Sequence, residues 1–288
     1  MKQKLPVLSV GNFRKTPVHD PGFYIETFQE HRKEHPFIMD AHRHDFYMLM
    51  LFTKGKGIHT IDLNTYKVEP GSVFFMSPGE MHAWNLSDNT DGYVLMFNSA
   101  FFVMNAQNRS ISEFSFFSQR NKISYGKLKS PETGMLGELM RIMLNESQEN
   151  GPHGTKILRA YLDILLFKLA DIFGSRNAPA TAPRLISRLE ELIELHYRDH
   201  QPVGFYAGQL AISPVQLNKI SQDYLGRSAK ELGQDRLLAE AKRLLVYTEL
   251  TISEISGQLN FSDNSYFTKF FKKLTDTTPE KFRDRLLP

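Results

Sequence analysis

The sequence predicts a two-domain α+β protein: an N-terminal antiparallel β barrel or sandwich with flanking helices, then a C-terminal all-α half carrying two helix-turn-helix motifs. Three observations carry this expectation. At 288 residues the chain exceeds one ordinary small domain. Between residues 37 and 102, short runs of aromatic and β-branched residues recur at roughly ten-residue spacing, separated by glycine and proline. Beyond that stretch the apolar period changes to three and four, and near the end two such helical patterns flank a tight turn.

Composition bounds the function classes. With 41% hydrophobic and 23% charged residues the chain has room for a core and the balance of a globular protein. It has no cysteine, which excludes a disulfide scaffold and thiolate chemistry and fits a reducing compartment. Near the N-terminus only a short apolar run broken by Pro6 follows the first lysines, too short for a signal-peptide core, so a cytoplasmic location is expected. The most apolar stretches, Tyr47 to Phe52 and Ile164 to Phe173, are short or carry Lys168 and Asp171, so no membrane partner is expected. The net charge of +3 is weakly informative, because residues from Arg184 onward hold fifteen Lys plus Arg against fourteen Asp plus Glu. Any basic footprint must be local. Lys269, Lys272, Lys273, Lys281, Arg283 and Arg285 supply one near the chain end.

In chain order, residues 1 to about 35 read as a poorly patterned lead-in with Pro6, Pro17 and Pro21. Strands are expected over Phe46 to Phe52, Ile58 to Leu63, Ser72 to Met76 and Tyr93 to Phe97, with turns at the intervening Gly, Pro and Asp clusters. Met135, Leu136, Leu139, Met140 and Met143 then predict one amphipathic helix, broken at Asn150-Gly151-Pro152. A second helix is expected from about Thr155 to Phe173, apolar over more than one face; its surplus is either buried within the domain or an isologous dimer contact. Gly174 to Pro183 reads as an interdomain linker, giving domains at 1–174 and 184–288 with a linker at 175–183.

The C-terminal half opens with a helix through Leu185, Leu189, Leu192 and Ile193, ended by Gln201-Pro202. A first helix-turn-helix follows, with a turn through Ala211-Ile212-Ser213 and a second helix started by Ser213 as N-cap and Pro214 at the first helical position. Asp235 to Tyr247 predicts a connecting helix. Thr251 to Leu259 is a short helix through Ile252, Ile255 and Leu259, and Asn260-Phe261-Ser262 is a turn whose asparagine tolerates positive φ. Ser262 or Asp263 caps a last helix with Tyr266, Phe267, Phe270 and Phe271 as its apolar stripe. Gln209-Leu210 to Leu217 aligns beneath Gln258-Leu259 to Phe267, an internal duplication.

The residues from Asp235 to Pro279 resemble the signature of the AraC/XylS family of bacterial transcription regulators. The match rests on Ala241 to Leu245, Ile252 with Ile255, Asn260 to Ser262, Ser265 to Phe267, Phe271 to Lys273 and Thr278-Pro279. Asn260 stands where the family usually has glycine. Residues 42 to 84 also resemble a cupin, the small jelly-roll barrel many members carry, through His42-x-His44, Gly55, Gly57, Gly71, Pro78-Gly79 and His82. The resemblance implies double-stranded DNA, a small-molecule effector and RNA polymerase as partners, activation as the regulatory mode, and a homodimer formed through helices within 132–173. It assigns Val215, Gln216, Asn218 and Lys219 to one DNA-reading helix and Asn264, Ser265, Thr268 and Lys269 to the other. Asn suits adenine, Lys suits guanine, and Lys272 and Lys273 suit phosphate. Two such helices one turn of DNA apart would read segments separated by roughly 10 base pairs.

His42, His44, Tyr47, Glu80, His82 and Trp84 are the candidate effector-binding residues at the barrel mouth. Enzymatic cupins add a glutamate to their histidines to hold a metal, and here that position holds Tyr47 or Met48. No metal, cofactor or catalytic residue is therefore expected. A metal-dependent cupin enzyme with accessory helices is the competing reading, and a protein-binding adaptor is a third.

Overall fold

The computed structural model describes residues 7–13, 22–35, 41–103, 111, 114–117, 123–149, 151–173 and 184–286. The chain divides near residue 180 into two compact units. The expected linker, Gly174 to Pro183, lies outside the described residues.

In the N-terminal unit, β1 (Val7–Leu8), β2 (Phe23–Thr27) and α1 (Phe28–Glu34) occupy the stretch whose pattern predicted only a lead-in. The correction has a tertiary cause. Every residue of β2 pairs antiparallel with a distant strand, from Phe23 opposite Phe97 to Thr27 opposite Tyr93, so its stability is invisible to local periodicity. Thr27 then caps α1, its hydroxyl accepting from the Glu30 N–H at 3.4 Å. The chain continues through β3 (His42–His44), β4 (Tyr47–Lys54), β5 (Gly57–Ile61), β6 (Asn64–Val68), β7 (Ser72–Met76), β8 (Met81–Leu86) and β9 (Asp91–Phe97). After α2 (Ser99–Val103) and β10 (Tyr125–Lys127) come α3 (Ser130–Gln148) and α4 (Gly154–Phe173).

The strands form two five-stranded sheets, ordered β1-β3-β8-β5-β6 and β10-β7-β4-β9-β2. The pairings are antiparallel apart from β1 with β3. Alternate residues of the second sheet reach two different cores. Met48, Met50, Phe52, Phe74, Met76, Val94 and Met96 meet Ile61, Val68 and Trp84 of the first sheet and form the interior between the sheets. Leu49, Leu51, Val73, Phe75, Leu95 and Phe97 point the other way, onto Leu136, Met140 and Met143 of α3 and Leu158, Leu162 and Leu165 of α4. Burial on both faces explains why β4 and β7 read as continuous apolar runs instead of alternating. It also accounts for most of the apolar surface of α4, each fully buried leucine contributing about 1.5–3 kcal/mol. Ile157 and Ile164 remain outside this cover, at 37% and 46% exposure, while Phe167 sets its ring edge-on against Phe114.

The C-terminal unit is all helix: α5 (Arg184–His196), a 3₁₀ turn (Tyr197–Asp199), α6 (Val203–Gln209), α7 (Pro214–Leu225), α8 (Ala229–Tyr247), α9 (Ile252–Gln258), α10 (Asn264–Thr275) and α11 (Pro279–Leu286). Local sequence dictates most of its boundaries. Ser213 with Gln216, Ser228 with Glu231 and Thr251 with Glu254 form reciprocal capping boxes, and the Asp263 carboxylate accepts the Tyr266 N–H at 2.8 Å. The Ser228–Glu231 box starts α8 six residues before the expected Asp235. The helices surround two small cores. Leu189, Leu192, Ile193, Tyr206, Ala207, Leu217 and Ala229 form one, and Leu237, Ala241, Leu244, Leu245, Ile255, Leu259, Phe267 and Phe271 the other, so α8 is shared between them.

Candidate functional site

Each helix-turn-helix is made by the same backbone device. The residue closing the first helix of each pair adopts a left-handed conformation, Ala211 at φ 54° and Asn260 at φ 56°. The next N–H then reaches back, Ile212 to the Ala207 carbonyl and Phe261 to the Ser256 carbonyl, both at 3.0 Å. Asparagine is among the few residues that enter this region readily; alanine is not, and the strained Ala211 is a departure local reasoning did not foresee. An N-cap follows, and α7 and α10 leave it with matching faces. Leu217 and Phe267 are completely buried at equivalent positions, which turns the opposite side of each helix outward.

On that outward side Val215, Gln216 and Lys219 are exposed and Asn218 is half-buried, its side-chain oxygen accepting the Ala229 N–H at 3.3 Å. On α10, Asn264, Ser265, Lys269, Lys272 and Lys273 are exposed and Thr268 is half-buried. None of these four lysines (219, 269, 272, 273) has an ion-pair partner among the described residues, so their charge is available to an outside polyanion. Two expectations are corrected. Tyr266, assigned to the apolar stripe, is 61% exposed. It sits three residues beyond its N-cap, as Gln216 does, and aligning the two caps would have placed it on the reading face. Arg283, counted with the phosphate-binding cluster, instead donates to the Leu245 and Leu250 carbonyls at 3.0 and 2.7 Å, pinning the loop between α8 and α9.

The interior of the β unit is chemically two-sided. The sheet carrying β4, β7 and β9 contributes methionine and phenylalanine; the sheet carrying β3, β5 and β8 contributes imidazoles. His42 and His82 are register partners, with their Nε2 atoms 2.9 Å apart, and His82 Nδ1 lies 3.2 Å from His59 Nε2. A neutral His82 has one N–H, so it donates to one neighbour and accepts from the other, and the three rings form a continuous hydrogen-bonded chain. His44 stacks on Phe46 and its Nδ1–H donates to the Phe46 carbonyl at 2.8 Å. Beside this chain, the Tyr24 hydroxyl is 2.9 Å from His31 Nδ1, and His31, His35 and Tyr24 pack around Phe13. Burial, reinforced by neighbouring imidazoles, pushes His31 and His59 down to about 3 and His82 well below its ordinary range. Burial likewise raises the Tyr24 phenol.

Of the expected effector residues, His42, His44, His82 and Trp84 line this interior, and Glu80 is buried with Oε2 accepting the Ser77 N–H at 2.6 Å in the turn before β8. Tyr47 is a correction: its ring stacks on Phe97 in the core facing α3 and α4, while Met48 occupies the interior parity. His59 and His31 are interior residues the sequence reading missed. His59 shares strand parity with the buried Ile61, a usable signal; His31 on α1 offered none. Among the described residues no group of three or more His, Cys, Asp or Glu could hold a metal ion. Three buried polar atoms, His31 Nε2, His59 Nδ1 and Trp84 Nε1, find no partner among the described residues.

Comparison with known proteins places both halves. Residues 23–166 match the model of the AraC-like ligand binding domain, and residues 206–285 match that of a helix-turn-helix domain. The chain is 21% identical over 238 residues to the arabinose operon regulatory protein of Salmonella typhimurium, covering 82% of this chain and 83% of that protein. It is 22% identical over 255 residues to the HTH-type transcriptional activator RhaS of Escherichia coli, covering 84% and 86%. Among solved structures, ToxT from Vibrio cholerae aligns over 93% of this chain and all of its own, at 14% identity and a TM-score of 0.43.

Proposed function

The chain belongs to the AraC/XylS family of DNA-binding transcription regulators, and from that premise we propose that it activates transcription by reading two adjacent DNA segments under the control of a small molecule held between its β sheets. The carrying observation is the pair of capped helices, α7 and α10, that turn matching faces outward, each with a lysine, Lys219 or Lys269, six residues beyond its N-cap and without an ion-pair partner among the described residues. Val215, Gln216, Asn218 and Lys219 read one segment; Asn264, Ser265, Thr268 and Lys269, joined by Tyr266, read the other. Lys272 and Lys273 hold phosphate and set register. Residues 1–174 sense and dimerise, 175–183 link, and 184–288 bind DNA.

The effector reading is supported by the three unpartnered polar atoms. Each costs about 1–3 kcal/mol while unsatisfied in the interior, a cost that a ligand with hydroxyl or carbonyl groups would relieve. Its apolar side would face Met48, Met50 and Met76. The outward residues Ile157 and Ile164, seven apart on α4, support an isologous helix contact in a homodimer. RNA polymerase is the onward partner and the cytoplasm the location. No helix of the described residues is long and apolar enough to cross a membrane. We assign no catalytic activity.

The test is selection of bound duplexes from a random DNA pool by the full-length protein at low and moderate salt. Two short conserved blocks about one helical turn apart, roughly 10 base pairs, are expected. Recovery of no consensus, both by the full chain and by residues 184–288 alone, would reject the reading.

A further inference from the structure

Between the two cores of the helical unit runs a short strap, residues 197–200, that carries the chain from the first core to the second. The chain leaves α5, whose Leu189, Leu192 and Ile193 belong to the first core, and Tyr197 enters the second core instead. Arg236 of α8 lies 4.0 Å over the Tyr197 ring and grips the Glu194 carboxylate of α5 with two bonds of 2.6 and 2.8 Å. The same guanidinium reaches Glu240 at 3.3 Å. Glu240, completely buried, also accepts from Arg198 at 3.3 Å and Arg243 at 3.5 Å, and Arg198 donates to the Tyr197 hydroxyl at 2.8 Å. The strap then ends on His200, left-handed at φ 51°. Its Nε2–H donates to the carbonyl of Leu259 at 2.7 Å, and its ring packs edge-on against Phe261 at 4.6 Å. Leu259 and Phe261 flank Asn260 in the turn of the second helix-turn-helix.

A segment issuing from the first module is thus tied directly to the reading turn of the second, bypassing the shared helix. Buried ion networks are poor sources of net stability, and apolar side chains of similar volume do as well or better. What such a network supplies is geometry: the planar Arg236 guanidinium admits one orientation between Glu194, Glu240 and Tyr197. Shared helix α8 meets the first core near Ala229 and the second from Leu237 onward, so the contacts of Arg236 and His200 lie between the two modules, where a brace would act on the angle between α7 and α10. That angle matters because each added base pair turns the groove by about 35°.

We propose that Arg236 and His200 are positioning residues that set the phase between α7 and α10, and so determine which block-to-block spacing the protein accepts without themselves touching DNA. The inference rests on the reading of α7 and α10 as recognition helices. Its test measures binding of the full-length protein to duplexes carrying the two selected blocks at the preferred spacing and at one or two base pairs more or less. Wild-type affinity is expected to fall about tenfold or more for a change of one base pair, as for the loss of well-placed base contacts. His200→Ala and Arg236→Met are expected to reduce that penalty to under about threefold while leaving base preference inside each block unchanged. Arg227→Ala, which removes only the exposed pair with Asp235, should keep the wild-type profile. If Arg236→Met does not fold, as judged by its helical circular dichroism, His200→Ala decides alone. Equal loss of affinity at all spacings, or an unchanged spacing profile in a folded variant, overturns the proposal. A wild-type protein that selects no paired blocks would instead reject the recognition-helix reading.

Discussion

Acidification to about pH 5 should destabilise the β unit, because its interior holds imidazoles that must stay neutral. His31 and His59 are completely buried, and each titrates near 3 in the folded chain against an ordinary value near 6.5. The groups acting on them are other imidazoles, His35 and His42 on His31, and His42 and His44 on His59, with the Tyr24 hydroxyl as a neutral neighbour. No carboxylate among those influences offsets a charge there. The folded pKa is depressed, so the unfolded chain binds more protons below 6.5 and stability falls as pH falls toward 3. From about pH 7.5 to about pH 5, each group removes about 2 kcal/mol, hence about 4 kcal/mol for the pair, with His82 acting in the same direction. That is a large share of the roughly 5–15 kcal/mol that holds a domain together. Glu26 and Asp45, raised by burial, act in the opposite sense, but both are partly exposed and screened. Trp84, the single tryptophan, sits among these rings and reports on this unit alone. Urea unfolding followed by its fluorescence gives the free energy at each pH. His59→Gln should shrink the acid-induced loss by about 2 kcal/mol. An unfolding free energy unchanged between the two pH values would refute the neutral-imidazole interior.

Further outcomes follow from the helical unit and the α4 face. Lys269→Ala should change sequence preference, whereas Lys273→Ala should weaken all sequences and reduce the salt slope by about 1; equal losses on all sites from both would remove the distinction between base and phosphate contacts. Ala211→Gly, relieving an alanine held at φ 54°, should stabilise the helical unit by about 0.5–1 kcal/mol in thermal denaturation followed by circular dichroism, and a destabilised variant would contradict the strain. With the proposed α4 contact forming a homodimer, Ile164→Glu should lower the mass to that of a folded monomer in sedimentation equilibrium without changing Trp84 fluorescence; an unaltered mass would clear that face of an interface role.

Local chemistry made the helical unit legible. Ser213-Pro214, Thr251 with Glu254 and Asp263 specify helix starts from within four residues, and Asn260 occupies the left-handed turn its side chain tolerates. The β unit was legible as a class, through turns at regular intervals, but β2 and β10 are held by strands far along the chain and left no local trace. The same division runs through the site. Lys269 and Ser265 face outward because helical periodicity against Phe267 and Phe271 puts them there, and the sequence alone determines that much. Tyr266 was misassigned because an aromatic ring looks like core until the packing of the two helices decides which face is covered. Tyr47 and Met48 are neighbours with opposite fates, settled by which side of a doubly buried sheet each faces, and composition is silent on that. The cupin resemblance grouped His42, His44 and His82. Only tertiary structure added His59 and His31, because strand pairing and the docking of α1 bring side chains from distant segments into one interior.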